Sequence, residues 1–489
     1  MFLFLRMFAL FALISISGSL NLPTARIQRK VAVRGGSAFP ALKPPGTAAV
    51  LYDGLFGSLV AAAVVAKTTA NRNNDQKENE IESKELKRVF LPTFWLLRAA
   101  DWMQGPYFYE VYASKVSDSL GLVSKLFLAG FGSTAVFGPY AGRIADEKGR
   151  KKATLAFCIL YAMAALSTKS TALTILFAGR ILSGIGTSLL FSAPEAWLVG
   201  EARRINATDA ALGATFSAAY GGDALVAIVA GQLASLAAAA RGPVGPFEFS
   251  VLFLFIGALT VITRWTENTA APSSTSSNEV SIADAFQLMI NDKRILLVGA
   301  IQALFEGAMY VFVLQWPPAI TQAVRGVFGM DSPTPFGKIF SCFMVSCLLG
   351  STAFSWLQRQ KITVERTTLG TMTAAAISMA AATSAISYTT GALALTALTS
   401  AFFAFELCVG LYFPSIGTLR AKYVPDSHRS VIMNIFGIPL NALVVSVFLS
   451  IRTLGVQGAL AVASTALILA STAAASLLAN THRDDRSKE

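Results

Sequence analysis

GRIADEKGRKK, residues 142–152, is a short hydrophilic stretch crowded with charges of both signs. It is set between two apolar runs, SLGLVSKLFLAGFGSTAVFGPYA (119–141) and ATLAFCILYAMAALSTK (153–169). Runs near 20 residues match the hydrocarbon thickness of a bilayer when helical. The stretch therefore reads as a tight loop joining two membrane-crossing helices. Outward from this point the same alternation fills the chain. Apolar segments are expected at 48–66, 90–113, 120–142, 153–169, 171–199, 213–240, 246–264, 295–320, 336–357, 367–388, 391–419, 431–451 and 456–479.

The whole-chain balance agrees. Hydrophobic residues make up 54% of the 489 residues and charged residues 14%, with a mean hydropathy of +0.56. Such a chain lacks the polar surface of a soluble domain, which implies an all-α polytopic membrane protein. The net charge of +12 does not point to nucleic acid, because the basic residues sit in short loops. Segments 67–89, 143–152, 200–212, 264–294, 358–366, 420–430 and the tail hold most of them, which places those segments on the cytoplasmic side. The stretch 67–89 is then a charged cytoplasmic linker, helix 48–66 an extra span, and the following twelve helices the core.

Residues 1–52 contain no Asp or Glu, and MFLFLRMFALFALISISGS resembles a secretory-type apolar leader. Residues 1–47 are expected to be a targeting segment, either a bipartite plastid-type leader that is cleaved or a tail behind a signal anchor. Four cysteines, all in apolar segments, and two histidines outside them leave no metal site, disulfide framework or buried His for acid–base catalysis. Neither a cofactor nor an enzymatic activity is expected.

Two halves are visible, 90–265 and 295–479, joined by the central loop 266–294 and followed by a polar tail, 480–489. Asp101 lies 13 residues beyond Arg88, and Glu306 lies 12 beyond Arg294. The tetrapeptide at Gly132 recurs at Gly350, and Arg180 and Glu406 each precede a glycine (Gly184, Gly410) by four. Parallel repeats of six helices fit these offsets.

The loop 142–152 resembles the signature loop of the major facilitator superfamily. Longer strings, AADWMQGPYFYEVY (99–112), GRILSGIGTSLLFSAPEAW (179–197), IQALFEGAMYVFVLQWPP (301–318) and ELCVGLYFPSIGTLR (406–420), are similar to the molybdate-anion transporter family within it. The resemblance implies two six-helix bundles that rock about a central site. It also implies a gating loop at Gly142, Asp146, Gly149 and Arg150 that latches the halves when the outside gate is open. The second-half loop, 358–366, lacks the Asp and is expected to latch more weakly. Two departures stand out: Gly437 replaces a family Arg, and Arg98 stands where relatives carry a small or apolar residue.

A charge at the centre of a membrane helix costs about 2.5–3.5 kcal/mol on insertion scales. Only Arg98 and Arg180, of 40 Lys and Arg, fall well inside the apolar segments. With Asp101, Gln104, Tyr107, Gln302, Glu306 and Glu406 they form the expected substrate pathway. Asp101 pairs by helical spacing with Gln104, and Glu306 with Gln302. Arg180, Gln104, Gln302 and Tyr107 would supply donors to a tetrahedral oxyanion, molybdate by resemblance. The carboxylates would pair with arginines or bind a co-transported proton, and Asp146 would face a helix N-terminus. The expected partners are thus the oxyanion, the proton and the lipid bilayer, in a plasma or organelle membrane. A carrier for another small anion or solute, and a non-transporting membrane sensor with a transporter fold, remain as alternatives.

Overall fold

The computed structural model describes residues 47–71, 80–115, 119–269, 282–425 and 428–486, so the expected leader lies outside the described residues. Helix α1 (Thr47–Asn71) is followed by α2 (Glu80–Gln104), a single 3-10 turn at Gly105–Tyr107, and α3 (Phe108–Ala113). The turn falls at Gly105-Pro106, where proline removes a backbone donor, so α2 and α3 form one broken first core helix. The first half continues with α4 (Ser119–Lys148), α5 (Arg150–Ser167), α6 (Leu173–Leu190), α7 (Ala193–Arg204), α8 (Asp209–Arg241) and α9 (Gly245–Arg264). Helices α6 and α7 are one span interrupted at Phe191-Ser192, with Pro194 opening α7. The second half comprises α11 (Lys293–Phe328), α12 (Phe336–Arg359), α13 (Val364–Tyr388), α14 (Gly391–Tyr423), α15 (Arg429–Leu449) and α16 (Ile451–Arg486). The protein is an all-α, multi-pass membrane protein with two six-helix bundles and one extra N-terminal helix.

Ten stretches are long and apolar enough to cross a membrane by length and composition, one of them the antiparallel pair α8–α9. The broken first core helix and α5 are absent from that set because they carry Arg98 and Asp101, and Arg150 to Lys152, respectively. The central loop also holds an element that periodicity did not suggest. Helix α10 (Ile282–Asn291) ends against Asp292, which caps α11 by accepting from Arg294 N at 2.9 Å.

The internal repeat proves to be a packing site. A Cβ on Gly184 (α6) would meet Ser133 Cβ at 2.7 Å and Thr134 N at 3.0 Å on α4. In the second half a Cβ on Gly350 (α12) would meet Gly410 Cα at 3.0 Å on α14. Small residues let these helix pairs approach at backbone distance, where dispersion replaces the missing hydrophobic drive in lipid.

The halves close on each other at the end opposite the 142–152 loop, here called the outer end. Gly231 (α8) and Gly337 (α12) nearly touch through their backbones, and Ser341 Oγ donates to Ile228 O at 2.8 Å. Four ring pairs cross between the halves: Trp102–Phe340, Tyr107–Phe336, Phe127–Phe448 and Phe131–Tyr310, with centroids 4.9–5.8 Å apart. Helix α1 packs on the second half, where Tyr52 Oη lies 2.9 Å from Thr399 Oγ1 and Lys338 Nζ lies 2.5 Å from Asp53.

Candidate functional site: two buried charge clusters and an unpaired arginine

Arg98 on α2 is only 6% exposed. Its Nε donates to both oxygens of Asp223 (α8) at 3.0 Å, its Nη2 donates to Oδ2 at 2.9 Å, and its Nη1 lies 3.4 Å from Asp101 Oδ2. The guanidinium also sits 4.8 Å from the Trp102 ring and 5.1 Å from the Phe191 ring. Asp223 takes a further bond from Trp102 Nε1 at 2.8 Å, and Asp101 takes one from Tyr161 Oη at 2.5 Å. One cation thus serves two carboxylates, and every member is hydrogen-bonded. Phe191, although it stacks on the buried Arg98, is 56% exposed.

The second half has its own cluster. Arg420 on α14 donates from Nε to Gln302 Oε1 at 3.0 Å and from Nη2 to Glu306 Oε1 at 3.1 Å. Tyr412 Oη donates to the same carboxylate oxygen at 2.8 Å, its ring stacked on Phe305 at 4.0 Å. The side chains of Glu306 and Arg420 retain 19% and 25% exposure. This pair is therefore more accessible than Arg98 and Asp223, whose side chains retain 7% and 10%.

Arg180 on α6 bonds to the carboxylates of neither cluster. Its Nη1 donates to Ser183 Oγ at 3.1 Å, its Nε reaches Leu126 O at 3.4 Å, and its guanidinium lies 4.5 Å from the Phe108 ring. Among the described residues no carboxylate pairs with it. It stacks on Phe108, and Phe108 in turn meets Phe127 of the closed outer end.

Several expectations need correction. No hydrogen bond or ion pair joins Asp101, Arg180, Glu306 and Glu406 to one another. Glu406 is buried against α12 near Cys347, with no ion-pair partner among the described residues. Neither Glu406 nor Asp223 pairs with Arg180. Gln104 does not share a partner with Asp101, because its Nε2 donates to Ser250 Oγ on α9 at 3.0 Å. Tyr107 is a buried part of the outer closure against Phe336. Gln302 and Glu306 do share a face, and Arg420 is what joins them. Arg420 went unnoticed because it looks like the first residue of a basic loop. However, α14 continues to Tyr423, and helical side chains lean towards the N-terminus, which carries this guanidinium inward.

The 142–152 loop also differs from expectation. Asp146 pairs with Arg150, Oδ1 lying 2.7–2.8 Å from Nη2 and Nε. The carboxylate at the N-terminus of α5 is instead Glu267, accepting from Lys151 N at 2.9 Å and Lys152 N at 3.1 Å. Gly149, at φ +112°, is required there, since a Cβ would strike that carboxylate. Arg150 N donates to Asn268 O at 3.1 Å, and Asn268 Nδ2 donates to Trp197 O at 3.1 Å. With Trp197 stacked on Trp265 at 4.0 Å, these contacts latch α4, α5, α7 and α9 together within the first half. Gly142 has no neighbour that would obstruct a side chain.

A lipid-embedded pair of six-helix bundles, closed at one end over buried charge clusters, has the architecture of a membrane transporter. The profile of a family described as sugar transporters with twelve transmembrane segments matches residues 51–409. The molybdate-anion transporter of Xenopus laevis is 30% identical over 392 residues, covering 80% of this chain and 83% of that protein. That of Xenopus tropicalis is 29% identical over 398 residues, covering 80% and 85%. In fold, the chain resembles the POT-family transporter PepTSo (TM-score 0.61, 11% identity, 81% and 98% covered). It also resembles a D-xylose–proton symporter (TM-score 0.60, 12% identity, 79% and 96% covered). The chain belongs to the major facilitator superfamily, in the family that includes these amphibian molybdate-anion transporters.

Proposed function

We propose that this transporter moves molybdate, or a closely similar tetrahedral oxyanion, by alternating access between its two halves. The observation that carries the reading is Arg180, a membrane-embedded guanidinium stacked beneath the closed outer end with no carboxylate partner among the described residues. A cation held in a membrane without a counter-ion is costly, and a dianion in the cleft would offset that cost. The relatives' description as molybdate-anion transporters supports the choice of anion.

On this reading Arg180 and Ser183 receive the oxyanion from the first half, and Arg420 with Gln302 receives it from the second. Guanidinium forks suit a tetrahedral oxyanion because each can donate two parallel bonds. Glu306 competes with the substrate for Arg420. A proton on Glu306 would release Arg420 to the anion, which couples proton and substrate movement. In the Arg98–Asp101–Asp223 cluster the guanidinium is already engaged by two carboxyl groups, so the cluster serves to tie α2 to α8 rather than to hold the anion. The outer closure and the latch confined to the first half belong to a state open on the loop side, the side expected to be cytoplasmic.

The test is uptake of radiolabelled molybdate by the purified protein in proteoliposomes, with and without an inward proton gradient. Saturable uptake, competed more strongly by tungstate than by sulfate, is expected. Specific binding without flux would instead favour a membrane sensor.

A further inference from the structure

We propose a second site on the membrane-facing side of the first half, which binds an anionic glycerophospholipid with its phosphate at Arg88 and Arg264 and one acyl chain along a groove between α2, α8 and α9.

The groove has a volume of about 440 Å³. Its walls are Pro92, Trp95 and Leu96 of α2, Leu225 and Val229 of α8, and Phe253 of α9, all apolar side chains. It lies away from the transport cleft. Leu225 follows Asp223 by two residues and so points about 200° round α8 from the side chain that meets Arg98. Leu96 bears the same relation to Arg98 on α2. Leu225 and Val229 are 50% and 56% exposed, which at this depth means exposed to lipid. Proline at position 92 and glycine at 222, where any Cβ would meet the Trp95 ring, shape the floor.

The second observation is the charge at the groove's loop-side end. Arg88 precedes Pro92 by four residues, and Arg264 follows Phe253 by 11, so each continues the helix face that lines the groove. The two helix ends are held together by Trp265, whose Nε1 lies 3.4 Å from Val89 O and whose ring stacks on Phe90 at 6.0 Å. Both arginines are exposed, and among the described residues neither pairs with a carboxylate. Two cations at the mouth of an apolar slot match one molecule: a phosphodiester headgroup joined to a hydrocarbon chain. A free anion would gain nothing from the groove, and a zwitterionic lipid would gain less from the arginines.

The experiment is native mass spectrometry of the full-length protein in detergent, titrated separately with dioleoylphosphatidylglycerol and dioleoylphosphatidylcholine. Preferential retention of phosphatidylglycerol is expected, and inorganic phosphate should not displace it. At about 1 kcal/mol per basic residue near an anionic surface, the double variant Arg88→Ala/Arg264→Ala should bind phosphatidylglycerol roughly thirtyfold more weakly. Val229→Trp, which fills the groove from an exposed position, should weaken both lipids. Equal retention of the two lipids by the unmodified protein, or unchanged phosphatidylglycerol binding in the double variant, would overturn the headgroup assignment. Full retention in Val229→Trp would overturn the acyl-chain assignment. All three positions are exposed, and an unchanged melting temperature confirms that the variants fold.

Discussion

The two halves repeat each other in architecture but differ in how they hold charge. In the first half Arg98 is spent: two aspartates, two aromatic rings and a tryptophan N–H engage its cluster, and the side chains of Arg98 and Asp223 retain only 7% and 10% exposure. In the second half Arg420 meets one carboxylate and one amide and keeps a quarter of its side chain exposed, with a tyrosine hydroxyl on the same carboxylate. The first arrangement resists rearrangement, because removing one partner strands a buried charge. The second can exchange partners at lower cost. On the proposed function, one half's cluster then serves stability and the other's substrate handling, with Arg180 as the first half's own contribution to the site.

This contrast can be broken in graded ways. Asp223→Ala should have the largest effect on stability, about 3–5 kcal/mol, since it leaves Arg98 buried with Asp101 as its only, more distant carboxylate. Thermal unfolding in detergent would check it, and a loss below about 1 kcal/mol would mean that Arg98 finds solvent instead. Arg420→Ala should spare folding more than Asp223→Ala but weaken molybdate binding by about 1.5–3 kcal/mol, roughly 10- to 150-fold. In the same cluster, Glu306→Gln should abolish the response of uptake to an imposed proton gradient while leaving counterflow exchange measurable. Uptake in Glu306→Gln that still follows the gradient would move the proton site elsewhere.

The smallest effect is expected outside the membrane. The Arg294 side chain and backbone, donating to Asp292, hold its carboxyl below the usual carboxylate range. Its folded value is depressed, so this cap stabilises the fold above the unfolded carboxylate value and is lost as pH falls through the folded one. Asp292→Ala should cost about 0.5–2 kcal/mol near neutral pH, and the difference should shrink in acid. A pH-independent difference would mean that the cap acts through packing alone.

Much of the fold could be read from the chain. Span length and loop charge gave the bundles, and three of the four repeat glycines, Gly184, Gly350 and Gly410, lie where helix pairs approach at backbone distance, whereas Gly132 does not. The glycine and proline at 105–106 break the first core helix. The site was less legible, for three physical reasons. Helical spacing placed Asp101 beside Gln104 but could not say that Tyr161 and Ser250 would claim them separately. Loop charge counting assigned Arg420 to a loop, because hydropathy ignores the inward lean of a long side chain at a helix end. Asp146 lay near the N-terminus of α5, yet Glu267, distant in sequence, took the cap and left Asp146 to Arg150. Each miss is a choice among tertiary partners, which no local pattern encodes.

The most direct test of the account is the affinity of purified Arg180→Ala for molybdate, read by calorimetry beside its melting temperature. A fall in affinity of about tenfold or more with the melting temperature preserved is the predicted result. Undiminished affinity in a folded Arg180→Ala protein would contradict the claim that this unpaired guanidinium receives the anion.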